Sequence, residues 1–184
     1  MNKLAIALSA ALSLGAAASA HAADATITFT GKVVASTCAV DVSTGSNTVA
    51  LRQINAGAFK GDPTVGSTPF TMTLKAGAGT ATCAKDKARL VVDKTASAIN
   101  ADGMITDTAG GSGTRTNAIV KFLDADNGDA AIDLTKLDDP ALQRDKDTGG
   151  EFKYNWIARY HAPGGADLTE GDFSGRLVFD IDNY

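Results

Sequence analysis

Histidine is almost missing from this chain: of 184 residues only His21 and His161 are histidine, and His21 lies in an N-terminal stretch that reads as a leader. One remaining histidine excludes imidazole-rich metal sites and copper–zinc chemistry. It also leaves no set of Ser, His and Asp, or of Cys and His, for nucleophilic catalysis. No G-x-S-x-G and no phosphate-binding loop occurs. Basic residues do not exceed acidic ones: 17 Lys and Arg face 21 Asp and Glu, for a net charge of −4. A mildly acidic chain has no pull on phosphate backbones, so nucleic acid is excluded as a partner. Past the N-terminus no apolar run approaches the roughly 20 residues of a membrane span.

Cysteine is scarce too. Cys38 and Cys83 are the two, with no CxxC spacing to suggest a metal. Lys3, the apolar run "LAIALSAALSLGAAA" and the small-x-small "AHA" give residues 1–22 the form of a secretion signal, cut after Ala22 or, at the alternative "ASA", after Ala20. In an exported chain two cysteines imply a disulfide. Closing a loop of about 45 residues is worth roughly 4 kcal/mol in the chain-entropy model. Cleavage after Ala22 takes 22 of the 184 residues, leaving 162, and removes Lys3, so the net charge becomes −5. That length fits one domain with a real core.

What is abundant is period-two alternation. "NTVALRQI" (47–54), "PFTMTLKA" (69–76), "ARLVVD" (88–93), "NAIVKFLD" (117–124), "AAIDL" (130–134), "EFKYNWIARYHA" (151–162) and "DFSGRLVFDIDNY" (172–184) all read as strands. The opening "ADATITFTGKVVASTC" (23–38) makes an eighth. Nineteen glycines, with Asp, Asn and Pro, gather between the strands in clusters such as "TAGGSGT" and "APGGAD". The pattern predicts an all-β sandwich, with at most a helical turn in "TKLDDPALQRD" around Pro140.

Few residues invite a catalytic or ligand-binding role. "DADNGD" (124–129) fails the EF-hand spacing, and its Asn127-Gly128 is a hairpin signal. His161 reads as a strand-end side chain. Trp156 shares the parity of Phe152 and Tyr154, which places it in the core rather than on a sugar-stacking surface. No catalytic residue, metal ligand or cofactor is expected. A self-complete secreted sandwich binding carbohydrate is the alternative, and a hydrolase with a carboxylate pair is a weaker one.

"ITFTGKVVASTCAVD", "TNAIVKFLDADNGDAAIDL", "NWIARYHAPGGA" and "FSGRLVFDIDNY", in that order, resemble the type 1 fimbrial subunits, the pilins of the chaperone–usher pathway. The resemblance covers the whole mature chain. Gly171 matches the family's glycine about 14 residues from the C-terminus, whereas Tyr184 is the last residue and Asn183 holds the place of the family's penultimate tyrosine. The resemblance implies an immunoglobulin-like sandwich that lacks its last strand and is completed by a donor strand from another subunit. It implies residues 23–32 as the donor extension and 33–184 as the pilin domain. Other pilin subunits, a periplasmic chaperone and an outer-membrane usher are the implied partners, and a fimbrium on the bacterial surface that supports cell adhesion is the implied destination.

Two features fit that account. Along the opening strand Ala25, Ile27, Phe29, Gly31 and Val33 share one face, while Thr26, Thr28, Thr30 and Lys32 take the other. At the other end Phe173, Leu177, Phe179 and Ile181 alternate on an apolar strand that, with Gly171 and Tyr184, is expected to border the acceptor groove. Burying Ile27, Phe29 and Val33 is worth roughly 1.5 to 3 kcal/mol each.

Overall fold

The computed structural model describes residues 38–43, 47–79, 83–108 and 114–184. The opening segment 23–37, with Ala25, Ile27, Phe29, Gly31 and Val33, lies outside the described residues, as does the leader.

Two antiparallel sheets share one core. The larger runs β1–β2–β7–β4–β5, with β1 at Cys38–Val42, β2 at Thr68–Ala76, β7 at Phe152–His161, β4 at Ile119–Asp124 and β5 at Ala130–Ile132. The smaller runs β6–β3–β8, with β6 at Arg144–Asp145, β3 at Lys87–Val92 and β8 at Phe179–Asn183. The all-β sandwich expected from the alternation is what forms. Register follows from that alternation: Phe70, Met72 and Leu74 of β2 lie opposite Trp156, Tyr154 and Phe152 of β7, all six buried. A slip of one residue would turn every one of these to the wrong face. The rings of Phe70, Phe122, Tyr154 and Trp156 meet edge to face or tilted, with centroids 5.5–6.1 Å apart.

The sheets are tied together on one flank. The Tyr154 hydroxyl donates to the Ala88 carbonyl at 3.1 Å, and burial pushes its phenol well above the ordinary tyrosine range. Arg144 of β6 donates from Nη2 to both carboxylate oxygens of buried Asp124 at 2.8 Å. The connection from β3 to β4 makes a second tie, beside the C-terminal segment. Its Asp93, Ala98 and Thr108 N–H groups donate to the carbonyls of Val178, Arg176 and Ser174, and Ile105 exchanges two bonds with Val120.

Several expected elements differ. Residues 47–54 form no regular strand; they line an edge, with Val49 and Leu51 half-buried against the core. The closing strand is regular only over Phe179–Asn183, because 172–178 bond to the irregular 93–108 and 114–116 connections rather than to a strand. A short helix α1 at Ala56–Gly61 lies between residues 47–54 and β2, outside every expected strand. Asn55 starts it by accepting from the N–H groups of Gly57 and Ala58 at 2.8 and 3.3 Å. Around Pro140 there are two single 3₁₀ turns, Leu134–Lys136 and Pro140–Leu142. "DADNGD" makes the β4–β5 turn, with Gly128 left-handed at φ 61°.

Candidate functional site

Opposite the laced flank, the sandwich carries a groove of about 1630 Å³. One wall begins with Val40 and Val42 of β1 and continues through Val49 and Leu51. The other is the C-terminal segment, presenting Phe173, Gly175, Leu177 and Phe179. Phe70, Met72, Ile105, Val120, Phe122, Trp156 and Ala158 floor it. Typical small-molecule pockets hold about 300–1,000 Å³; this one is larger, elongated and apolar at its base.

Both walls are strand edges, which the hydrogen bonds establish. Lys87 and Tyr184 exchange two backbone bonds at 3.1 Å, and Asp93 N–H donates to the Val178 carbonyl at 2.9 Å. In an antiparallel pair bonded and non-bonded positions alternate. Even-numbered residues of β8 therefore turn their backbone groups to β3, and Phe179 and Ile181 turn theirs away. The same phase holds upstream, where the carbonyls of Ser174 and Arg176 are the ones taken. Across the groove Ser43 N–H donates to the Thr71 carbonyl at 2.8 Å. By the same alternation Val40 and Val42 point their backbone groups away from β2. Among the described residues no strand pairs with the outer edge of β1 or of β8.

The odd positions of the C-terminal segment thus do two things at once: they aim side chains at the core and offer backbone groups to the open edge. Phe173, Leu177, Phe179 and Ile181 all pack partly against the core. Ile181 does not line the groove, and Tyr184, 44 % exposed with the Arg89 guanidinium 5.3 Å from its ring centroid, stands outside it. Gly171 lies at the far end with φ +147°, where a Cβ would come within 2.4 Å of the Arg115 carbonyl carbon. Only glycine permits that approach.

Beyond Phe179, the last lining residue of the C-terminal segment, a side-chain contact bridges the two walls of the groove. Asn183 Nδ2 donates to Cys38 Sγ at 3.0 Å, and the expected Cys38–Cys83 disulfide forms there, joining β1 to the lead-in to β3. At the other end its lining includes the exposed residues Gln53, Thr169 and Glu170. Sequence reasoning named the C-terminal wall but not the β1 wall, although "CAVDV" carries the alternation Cys38, Val40, Val42 that announces it. Nor did it find Ile105, whose Cγ2 stands 2.2 Å from where a Cβ on Gly175 would sit. Trp156, 2 % exposed, belongs to the floor and offers no sugar-stacking face.

The family model described as Fimbrial protein matches residues 27–183. The chain belongs to the fimbrial protein family. The F17 fimbrial protein of Escherichia coli is 31 % identical over 180 residues, covering 92 % of this chain and 94 % of the relative. Two solved structures are similar. One, the P pilus rod subunit PapA, shares 18 % identity over 86 % of this chain and all of that one, with a TM-score of 0.39. The other, a chaperone–usher pilus studied for rod uncoiling, shares 19 % over 87 % and 95 %, with a TM-score of 0.45. This fimbrial chain is a structural subunit rather than an enzyme. Among the described residues no cluster of three His, Cys, Asp or Glu side chains is placed to hold a metal, and no helix is long and apolar enough to cross a membrane.

Proposed function

We propose that the protein is a pilus subunit that polymerises by donor-strand exchange. The N-terminal segment of one copy, residues 23–32, fills the groove of the next. A periplasmic chaperone protects the groove before an outer-membrane usher joins the subunits into a surface fimbria that supports adhesion. One observation carries the reading: a groove with an apolar floor runs between two strand edges, each with backbone groups directed into it. A strand laid there gains a ladder on both sides, at about 0.5–1.5 kcal/mol per bond, and buries its apolar face. That is strand addition between chains. Because the strand joins a core, leaving requires partial unfolding, and the junction is long-lived.

Membership of the fimbrial family supports this reading over a self-contained carbohydrate-binding module. So does the burial of Trp156. Deleting residues 23–30 is the direct test. Assembly is lost while the subunit is still recovered folded with its chaperone; fibres built from the truncated chain would refute the reading.

A further inference from the structure

We propose a second binding site, on the outer face of the larger sheet: Lys121 and Arg159 form a receptor for the carboxylate of an acidic sugar.

Strand parity puts both side chains there. Val120 and Phe122 of β4, and Trp156 and Ala158 of β7, line the groove. Successive side chains of a strand take opposite faces, so Lys121 and Arg159 point away from the core. The two are register partners in the β4–β7 ladder, which sets their Cβ atoms about 5 Å apart. Like charges directly opposite destabilise a sheet. At two other cross-strand positions a cation faces a carboxylate instead: Arg89 opposite Asp182, and Lys87 opposite Asp145. Lys121 has no ion pair and no hydrogen bond among the described residues.

Arg159 is held ready. Its Nε donates to Ser67 Oγ at 2.8 Å, and Ser67 in turn donates to the Thr64 carbonyl at 2.6 Å. That bond orients the guanidinium. Both Nη groups, the donors that grip a carboxylate in pairs, keep no partner among the described residues. Asp62 is the carboxylate that feels the Arg159 charge, but its Oδ1 already accepts from the N–H and the hydroxyl of Thr64, at 2.8 and 2.6 Å. A carboxylate seated between Lys121 and Arg159 turns their repulsion into charge-assisted contacts on both sides.

The rest of the ligand follows from the neighbouring row. Ile157 stands next to Arg159 on the same face and lies opposite Pro69 of β2. Ile157 is half-buried and Pro69 exposed. An apolar row beside a cationic pair suits a ligand with one charged edge and one nonpolar flank. A sugar ring bearing a carboxylate has both, and its C–H face lies on Ile157 and Pro69. The net charge of −4 repels a polyanion, whereas a lone carboxylate responds to the two cations well inside the Debye length of about 8 Å. The site faces away from the groove, so a strand filling the groove leaves it open.

Sialyllactose and lactose differ by one acidic sugar and so isolate the carboxylate. The purified protein, as fibres or as single subunits, is passed over surfaces coated with each. Capture on sialyllactose is expected to exceed capture on lactose roughly tenfold or more, because many copies engage one surface. Converting the carboxylate to its amide abolishes the difference. Lys121→Gln with Arg159→Gln loses the preference, and Lys121→Gln alone weakens it several-fold. Lys121→Gln also removes the like-charge contact, so it melts no lower than the parent, which separates lost binding from lost folding. Lys153→Gln, a cation of the same face already paired with Asp147, leaves capture unchanged. Equal capture on sialyllactose and lactose, or full capture by the double variant, overturns the proposal. A melt several degrees lower for Lys121→Gln makes that residue structural and overturns it too. Capture on polyaspartate as strong as on sialyllactose assigns the pair to an acidic peptide and overturns the sugar.

Discussion

Replacing Arg144 by Met tests whether the flank opposite the groove is held by one buried ion pair. Asp124, at the end of β4, has its side chain 2 % exposed, and Arg144 in β6 is 15 % exposed. Arg144 Nη2 stands 2.8 Å from each carboxylate oxygen, its Nη1 donates to the Gln143 carbonyl at 3.1 Å, and its guanidinium carbon lies 5.2 Å from the Tyr154 ring centroid. Methionine keeps the apolar stem and removes the charge, stranding a buried carboxylate. Breaking such a pair from one side costs about 3–5 kcal/mol, a 10²- to 10³-fold or larger loss in the folding constant. With a urea slope of about 2 kcal/mol/M, the midpoint falls by roughly 2 M. Trp156 is the single tryptophan and is buried, so its emission follows unfolding of the purified protein. The double change Arg144→Met with Asp124→Leu removes both charges and is expected to recover most of the loss. It stays about 1 kcal/mol short, because Asp124 Oδ1 also accepts from the Asp126 N–H at 3.2 Å and caps the next turn. A single variant within about 0.5 kcal/mol of the parent, or a double variant less stable than the single, refutes the argument.

Gly171→Ala forces a side chain onto φ +147° and into the backbone of residues 114–116, so the melting temperature drops by several degrees; an unchanged melt contradicts the close approach. Cys38→Ser opens a loop of 45 residues and lowers periplasmic yield, in line with a loss of about 4 kcal/mol; equal yield under oxidising conditions makes the bridge dispensable. Phe29→Asp sets an unpaired charge in the groove at a cost of several kcal/mol and blocks joining of subunits, so normal fibre yield counts against strand donation. Asp133 has its carboxyl held down to about 2, chiefly by the Thr135 hydroxyl at 2.6 Å, then by Lys136. A depressed folded-state value means the folded chain binds fewer protons, so this stability is complete above about pH 4 and is lost as pH falls toward 2. Asp133→Asn flattens the melting temperature over that window, and an unaltered acid limb shows the group to be irrelevant.

The strands that bury one face were legible because burial imposes alternation: β2 and β7 follow directly from Phe70, Met72, Leu74 and from Phe152, Tyr154, Trp156. Alternation does not say where a strand finds its hydrogen bonds. Residues 172–184 alternate throughout, yet only five of them are regular strand, since Asp107 and Thr108 are irregular partners: Ser174 N–H donates to Asp107 Oδ1 and Thr108 N–H to the Ser174 carbonyl. Residues 47–54 alternate for a different reason, packing Val49 and Leu51 along a groove rather than joining a ladder. The two-residue β6 is too short for any period to show, and its place follows from pairing with Lys87 and Ala88 of β3 and from the ion pair of Arg144 with Asp124. The groove was half visible. An apolar closing strand signals a hungry edge, but which second edge faces it depends on the sheet order, and that order is a long-range property.

Hydrogen bonds already made by both walls explain why the groove stays open instead of collapsing. To close it, the C-terminal segment would have to move toward β1. Its even-numbered backbone groups are committed to β3 and to the 93–108 connection, and Arg115, paired with Asp107, holds the connection beside Ser174. From the other side β1 is committed to β2 along its length, with Cys38 opposite Ala76 and Val42 opposite Met72. Moving either wall breaks a ladder at about 0.5–1.5 kcal/mol per bond to gain apolar contacts that an entering strand supplies without breaking any. Between the walls Asn183 Nδ2 donates to Cys38 Sγ, while the disulfide ties β1 to the lead-in to β3. The shape of the site therefore follows from where the hydrogen bonds are already spent, and the cheapest way to satisfy both edges is one more strand between them.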